Sequence, residues 1–258
     1  MPKLCANLSM LFHEYEFLDK FKPAAKAGFK GVEYLFPYPY TPNDLKQRLD
    51  DNQLTQVLFN LPAGDWSSGE RGITCHPDRV SEFRDGVEQA IEYAKALNCS
   101  QCNALAGIIP QGISAQQAEE TFIDNLRFAS NKLDQQGIKL MIEAINTYDI
   151  PGFFLNKTAQ TMAILRQVKS DNLFYQYDIY HMQRMEGELS SNIQKQLPRI
   201  GHIQVADNPG RHEPGTGEIN FDFILKFIEQ LGYKGWIGAE YIPANTTEQG
   251  LGWIEQYI

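Results

Sequence analysis

Short apolar segments alternate with helical patterns along the chain. In residues 26–34, 135–143 and 230–240, a helical pattern is followed by glycine, an aromatic residue or isoleucine, lysine, a short apolar run and glutamate. Glycine just past a helix supplies the left-handed conformation that closes the last turn. Because the apolar runs lack polar alternation, we expect strands buried on both faces, which is typical of a parallel sheet.

The rest of the sequence continues this alternation. Apolar positions recur at spacings of three and four from Val80 to Leu97, as on one face of a helix. Ser114 with Gln117, Asn220, and Thr246 with Gln249 are predicted to open later helices. We predict eight strands, near Leu4–Asn7, Val32–Leu35, Thr55–Asn60, Cys102–Ala106, Lys139–Ile145, Leu173–Asp178, Gly201–Ala206 and Trp236–Glu240.

Eight strands, each followed by a helix, predict a (β/α)8 TIM barrel that spans residues 1–258 as a single domain. A doubly wound open sheet is the alternative, and the lack of a G-x-G-x-x-G motif after the first strand weakens it. No linker or low-complexity segment divides the chain.

Composition narrows the possible partners. The 258 residues carry 23 Lys+Arg and 32 Asp+Glu, a net charge of −9, which disfavours nucleic acid as a partner. No apolar run reaches the roughly 18–20 residues of a membrane span, and the first residues do not look like a secretory leader. Four cysteines do not form a disulfide framework, and Cys99-x-x-Cys102 is best explained by core thiols. We therefore expect a soluble cytoplasmic globular protein.

The second half places oxygen-bearing side chains at four consecutive strand ends. These are Glu143, Asp178, Gln204 and Glu240. In a TIM barrel these ends converge at the carboxyl-terminal mouth, where active sites lie. Three carboxylates in one cavity repel each other unless a cation joins them, and oxygen ligands select a hard ion, so we predict bound Mg2+ or Mn2+.

Other polar residues have weaker patterns. Glu33 fits the repeat but has no partner on the neighbouring predicted strands, so we interpret it as structural or supporting. His181 lies above the site, three residues past Asp178, whereas His202 is predicted to point inward as a satisfied core histidine. In the Pro- and Gly-rich loop 206–220, Arg211 can meet a substrate anion or, alternatively, pair with an acidic residue of the same loop, which holds Glu213 and Glu218.

Several long segments carry a family resemblance. Residues 7–12, 60–66, 69–72, 177–187 and 209–220 resemble the hydroxypyruvate isomerase family of the xylose-isomerase-like barrels, and the similarity covers nearly the whole chain. Sugar-epimerase relatives place histidine where this chain has Gln204. The resemblance implies a metal-dependent aldose–ketose isomerase acting on a small anionic hydroxy-oxo acid.

The resemblance also implies roles for individual residues. The metal ligands carry over onto Glu143, Asp178, Gln204 and Glu240, and the catalytic pair onto Glu143 and Glu240. Substrate contacts carry over onto His181 and Arg211. The expected reaction interconverts hydroxypyruvate and 2-hydroxy-3-oxopropanoate by proton transfer through an enediolate.

Alternative functions are open from the sequence. They are a 2-oxo-tetronate isomerase, a related ketose epimerase and a non-catalytic barrel that binds small acids. The acidic charge and only five histidines disfavour a multi-zinc endonuclease. Barrels of this class often form homo-oligomers, but the sequence indicates no interface.

Overall fold

Eight parallel strands close into a barrel in the order in which they occur along the chain. The computed structural model describes residues 3–255 and 257. The strands are β1 (Lys3–Asn7), β2 (Gly31–Glu33), β3 (Thr55–Asn60), β4 (Gln101–Asn103), β5 (Lys139–Glu143), β6 (Leu173–Asp178), β7 (Ile200–Val205) and β8 (Trp236–Ala239). Because β1 pairs with β8, the sheet has no edge. The predicted TIM barrel is confirmed, and the doubly wound alternative is wrong.

Helices surround the barrel between successive strands. They are α1 (Phe21–Lys26), α2 (Pro42–Asp51), α3 (Val80–Leu97), α4 (Ala115–Asp134), α5 (Thr158–Val168), α6 (Ile179–Met185), α7 (Leu189–Gln196) and α8 (Phe221–Gln230). Short 3-10 helices cover Phe17–Asp19, Pro77–Arg79, Leu197–Arg199 and Glu248–Ile254. Within residues 3–255 and 257, no helix combines the length and apolar character needed to cross a membrane.

The repeated glycines end helices as the sequence predicts. Gly28, Gly137 and Gly232 follow α1, α4 and α8 with φ angles of 99°, 69° and 81°. This left-handed conformation is strained for other residues and turns the chain back towards the next strand. The repeat therefore sets where β2, β5 and β8 begin, and so where their carboxyl ends lie.

The predicted helix starts are confirmed in two of three cases. Ser114 and Gln117 form a reciprocal capping box on α4, and the Asn220 side chain accepts a hydrogen bond from the Phe223 amide at 3.1 Å on α8. The start at Thr246 is wrong, since the last turn is a 3-10 helix preceded by Thr247. The Thr247 hydroxyl instead accepts a hydrogen bond from the Phe12 amide at 2.7 Å, which ties this turn to the loop after β1.

The fourth strand is shorter than predicted. We expect it over Cys102–Ala106, but β4 ends at Asn103. The carbonyl of Leu105 accepts a hydrogen bond from the Thr74 hydroxyl at 2.8 Å, and that of Ala106 accepts one from the Cys75 amide at 2.9 Å. The loop after β3 thus takes the carbonyls that a longer strand would offer to its neighbours.

The apolar core lies mainly between the barrel and its helices, and a smaller cluster fills the barrel interior. That inner cluster comprises Cys5, Val57, Leu58 and Met141. Cys99 and Cys102 are buried free thiols, so the core interpretation of this C-x-x-C pair is confirmed. Phe174 and Trp236 pack against the inner cluster. In a TIM barrel the active site lies at the carboxyl-terminal mouth, opposite the strand starts.

Candidate active site

Each strand carries a buried polar side chain at its carboxyl end or within one residue of it. The eight residues are Asn7, Glu33, Asn60, Asn103, Glu143, Asp178, Gln204 and Glu240. The strand register sets Asn7 beside Glu33 and Asp178 beside Gln204. A ring of polar groups therefore lies just below the mouth of the barrel.

Five of the six predicted site residues line one cavity at this mouth. They are Glu143, His181, Gln204, Arg211 and Glu240. Apolar side chains, including those of Trp66, Leu105, Ile145 and Ile150, form the rest of its wall. Trp66 packs edge-on against Phe36 at 5.1 Å between ring centroids and lies under the Arg71 guanidinium at 4.4 Å. The cavity thus combines a polar floor with an apolar wall, as small-molecule sites commonly do.

Asp178 completes the site beside His181. The His181 Nε2 atom lies 3.7 Å from Asp178 Oδ2 and 3.7 Å from Glu143 Oε1. Asp178 Oδ1 accepts a hydrogen bond from the backbone amide of His181 at 3.1 Å, which caps α6 and fixes the carboxylate. One ligand-type atom from each of these three side chains lies within 4.8 Å of the other two.

Gln204 links the two sides of the site. Its Oε1 accepts a hydrogen bond from Gln176 Nε2 at 2.7 Å, and Gln176 Nε2 also donates to Glu143 Oε2 at 2.9 Å. Its Nε2 donates to Glu33 Oε1 at 2.8 Å and to Glu240 Oε2. Because both ends of the amide are engaged, its orientation is defined by the surrounding network.

Arg211 points into the site. Its guanidinium donates to Glu240 Oε1 at 3.0 Å and lies 5.2 Å from the centroid of the Tyr180 ring. The alternative, an ion pair between Arg211 and an acidic residue of its own loop, is wrong. In the described part of the chain, Glu213 accepts a hydrogen bond from the Ala244 amide, and Glu218 accepts from the side chains of Gln183 and Asn208. Arg211 is the single arginine or lysine among the described residues that line the cavity.

Burial shifts the pKa values of three carboxyls and one histidine at the mouth. It raises the pKa of Glu240 to about 8 and that of Asp178 to about 6, although Arg211 opposes both shifts. Burial, with the charges of Glu240 and Asp178, raises the pKa of Glu143 well above its usual range. Burial and the nearby Arg211 lower the pKa of His181 well below its usual value, so its ring is neutral.

The structure confirms the interpretation of His202 and corrects that of Glu33. His202 points inward and is satisfied, as predicted, since its Nε2 lies 2.6 Å from Glu33 Oε2. The expectation that Glu33 has no partner on the neighbouring strands is wrong, because Cys5 and Asn7 of β1 donate to its carboxylate. His202 and Gln204 of β7 contact it as well. The partners on β7 reach Glu33 across the barrel interior, a proximity that neighbouring-strand reasoning does not detect.

Sequence reasoning also missed three amide side chains. Asn7 Nδ2 donates to Glu240 Oε2 at 2.9 Å, Asn146 Nδ2 lies 2.7 Å from His181 Nδ1, and Gln176 bridges Glu143 and Gln204. The position of Asn7 at a strand end was available as a signal. The positions of Asn146 and Gln176 at the site follow from tertiary packing, which the spacing of residues along the chain does not show.

The donor set fits a hard divalent cation. Asp178 Oδ2 is buried without a hydrogen-bond partner, Glu143 Oε2 rather than Oε1 takes the bonds from neighbouring amides, and Gln204 Oε1 has one lone pair left after bonding Gln176. Glu240 has fewer free lone pairs for a cation, because Arg211, Asn7 and Gln204 all donate hydrogen bonds to it. Buried oxygens with free lone pairs and excess negative charge are what Mg2+ or Mn2+ requires.

A family model described as a xylose isomerase-like TIM barrel matches residues 21–257. The chain belongs to this family. It is 53% identical over 257 residues to hydroxypyruvate isomerase of Escherichia coli, with 100% of both chains covered. It is 44% identical over 258 residues to 2-oxo-tetronate isomerase of Cupriavidus necator, covering 100% of this chain and 99% of that protein.

A solved structure has almost the same backbone. It is described as an AP endonuclease, family 2, from Brucella melitensis, and it matches with a TM-score of 0.97 and 43% identity over 100% of this chain and 99% of that chain. The full-length similarity to two isomerases confirms the expectation that this protein is an isomerase.

Proposed function

We propose that this protein interconverts hydroxypyruvate and 2-hydroxy-3-oxopropanoate, with residues 1–258 forming a single catalytic barrel. The observation that carries the proposal is that Glu143 and Glu240, three strands apart in a ring of eight, line the same cavity together with Arg211. Two carboxyls and one cation match a reaction that moves a proton on a small anion. The higher full-length identity to the hydroxypyruvate enzyme supports this substrate.

The reaction requires a proton to move between C2 and C3 while carbonyl and hydroxyl exchange places. The raised pKa values of Glu143 and Glu240 make these carboxylates stronger bases than ordinary glutamates. One of them would remove a proton from C3 of hydroxypyruvate, and the same or the other carboxyl would return it to C2 of the enediolate. The hydroxyl proton would pass from the C3 oxygen to the C2 oxygen in the same conversion. Glu143 Oε1 faces the site with its other oxygen held by Asn103 and Gln176, so it is well placed to accept that proton.

Binding of the substrate falls to two other side chains. Arg211 would pair with the substrate carboxylate, since a guanidinium matches this group in shape and charge. His181 would donate from Nε2 to a substrate oxygen while remaining neutral. The apolar wall around Trp66 and Leu105 would exclude water, which strengthens both interactions.

The expected cation would be held by Glu143, Asp178, Gln204 and Glu240. Mg2+ or Mn2+ supplies Lewis-acid polarisation of a carbonyl, which acidifies the adjacent C–H. Asp178 supports this assignment most directly, because its Oδ2 accepts no hydrogen bond within the described chain.

A 2-oxo-tetronate isomerase is the second candidate, favoured by the 44% full-length identity to such an enzyme. It differs in acting on a longer substrate. The endonuclease description of the similar structure does not lead us to propose a nucleic acid substrate, because Arg211 alone among the described cavity residues is an arginine or lysine and the chain carries −9.

One assay distinguishes these functions. The purified protein is incubated with hydroxypyruvate, 2-oxo-tetronates or free ketoses, with and without Mg2+ or Mn2+, and products are identified by NMR. We expect metal-dependent turnover that is fastest with hydroxypyruvate. Faster turnover of a 2-oxo-tetronate would select the second candidate, and binding without turnover of any compound would overturn both.

A further inference from the structure

Glu33 is a buried carboxylate that the proposed reaction does not use. It is fully buried at the end of β2 and accepts hydrogen bonds on both oxygens. Oε2 accepts from His202 Nε2 at 2.6 Å and from Cys5 Sγ at 3.3 Å, whereas Oε1 accepts from Gln204 Nε2 at 2.8 Å and Asn7 Nδ2 at 3.1 Å. A buried charge with four donors is held in one position.

The donors of Glu33 are themselves oriented by fixed groups. Asn7 Oδ1 accepts from the Ser9 backbone amide at 3.0 Å, so its Nδ2 must face the carboxylates. Gln101 Nε2 lies 3.4 Å from His202 Nδ1, which leaves Nε2 of that ring to donate to Glu33. The Asn7 amide therefore has one orientation, and the hydrogen on His202 Nε2 follows from its contact with Glu33, because a carboxylate oxygen can only accept.

The same donors continue to both proposed catalytic carboxyls. Asn7 Nδ2 also donates to Glu240 Oε2 at 2.9 Å. Gln204 accepts from Gln176, which donates to Glu143 Oε2 at 2.9 Å. Glu33 therefore stands one amide away from Glu240 and two amides away from Glu143.

We infer that Glu33, held from below by His202, is a positioning residue that orients Glu240 through Asn7 and Gln204, and Glu143 through Gln204 and Gln176. It reaches neither the cavity nor the substrate. Buried groups that support reactive side chains in this way commonly contribute a factor of about 10–100 to activity or metal affinity. The inference rests on the proposed function for its effect on turnover, but its effect on side-chain orientation does not depend on it.

The chain offers a matched control. Cys5 donates to the same carboxylate from the same barrel interior, but the described contacts give it no link to the catalytic pair. Cys5→Ala thus removes one bond to Glu33 and leaves the bonds to Asn7 and Gln204 in place. Glu33→Gln keeps the side-chain shape but replaces one carboxylate oxygen by an NH2 donor. Either the two donors on Oε1 or the two donors on Oε2 then lose their acceptor.

The test combines kinetics with NMR of side-chain amides. For Glu33→Gln we expect kcat on hydroxypyruvate to fall about 10–100-fold with KM within about threefold, and the Asn7 and Gln204 amide signals to shift. Cys5→Ala should keep kcat within about twofold of wild type and leave those signals in place. Asn7→Ala removes one of the two amides that join Glu33 to Glu240 and leaves the Gln204 amide in place. It should also lower kcat, and it serves if Glu33→Gln does not fold.

The opposing outcomes are distinct. The positioning role would be overturned if Glu33→Gln lowers the melting temperature but leaves turnover per folded molecule and the amide signals unchanged. Equal kcat losses in Glu33→Gln and Cys5→Ala would do the same. If wild-type protein converts no substrate, the proposed function fails, and the amide signals alone then decide whether Glu33 orients Asn7 and Gln204.

Discussion

Asn146 Nδ2 lies 2.7 Å from His181 Nδ1 and determines which nitrogen of that ring carries the hydrogen. Asn146 Oδ1 accepts from the backbone amides of Tyr148 and Asp149 at 3.1 and 2.8 Å, so its nitrogen faces the ring. His181 Nδ1 is then the acceptor, and in a neutral ring Nε2 carries the hydrogen. An N–H at Nε2 donates to a substrate oxygen and does not ligate a cation, which supports the substrate role of His181.

We predict that Asn146→Asp reverses this arrangement. A carboxylate would accept from Nδ1, so Nε2 would lose its hydrogen and the substrate would lose a donor. We expect kcat/KM to fall about 10–100-fold, the range for a hydrogen bond to a charged group. Nitrogen NMR of labelled histidine should show Nε2 changing from protonated to unprotonated.

The control for Asn146→Asp removes the repulsion that the new carboxylate would have with Asp149. Asn146 Nδ2 also donates to Asp149 Oδ2 at 3.0 Å, so an aspartate at position 146 would face another carboxylate. The double variant Asn146→Asp/Asp149→Asn relieves that contact. If activity returns in the double variant while Nε2 stays unprotonated, the tautomer of His181 does not matter for catalysis.

Replacing either proposed catalytic carboxyl should abolish most turnover. Glu143→Gln and Glu240→Gln keep the size of the side chain but cannot exchange a proton, and general base catalysis typically contributes about 10²–10⁴-fold. We expect kcat to fall by that amount with a circular dichroism spectrum like that of wild type. Glu218→Gln is the control, because Glu218 is exposed on the neighbouring loop. Near-full activity in either site variant would remove that residue from the mechanism.

The barrel and half of the site were predictable because local signals fix them. Glycines past the helices mark where β5 and β8 begin, and the short apolar runs that follow bring the strand ends close to Glu143 and Glu240. The fifth strand nevertheless ends at Glu143, two residues before the predicted Ile145. A closed parallel barrel then brings those ends together without further information.

The supporting network was not predictable in the same way. Asn7, Asn60 and Asn103 occupy strand ends, but they are neutral amides and a search for ligating acids passes over them. Glu33 meets His202 and Gln204 only because the closed barrel brings side chains of β2 and β7 together across its interior. Such contacts depend on closure and layer height, which residue spacing along the chain does not encode.

Metal binding should depend on pH through Glu240 and Asp178. Burial raises their pKa values to about 8 and about 6, so protons compete with a cation at neutral pH. Between pH 6 and pH 8, Asp178 goes from about half to almost fully ionised and Glu240 becomes about half ionised. The affinity for Mn2+ should therefore rise over this range, by up to about tenfold per pH unit for each proton displaced. Calorimetry in buffers of different ionisation enthalpy measures both the affinity and the protons released.

The same experiment has a clear opposing result. An affinity that is flat between pH 6 and 8, with no proton release, would mean that the cation does not displace protons from Asp178 or Glu240. Treatment with a chelator should abolish turnover, and added Mg2+ or Mn2+ should restore it. Full activity of protein from which all metal has been removed would exclude a metal-dependent reaction.

Arg211 should discriminate between charged and uncharged substrates. We predict that Arg211→Ala raises KM for hydroxypyruvate at least about tenfold, because a charged hydrogen bond to the substrate carboxylate is lost, and raises KM for an uncharged ketose much less. Steady-state kinetics with both compounds measures the difference. Arg211 also donates to Glu240 Oε1 at 3.0 Å, so a fall in kcat for both compounds is expected in addition. Equal changes in KM for the two substrates would mean that Arg211 acts only through Glu240 and does not bind the substrate anion.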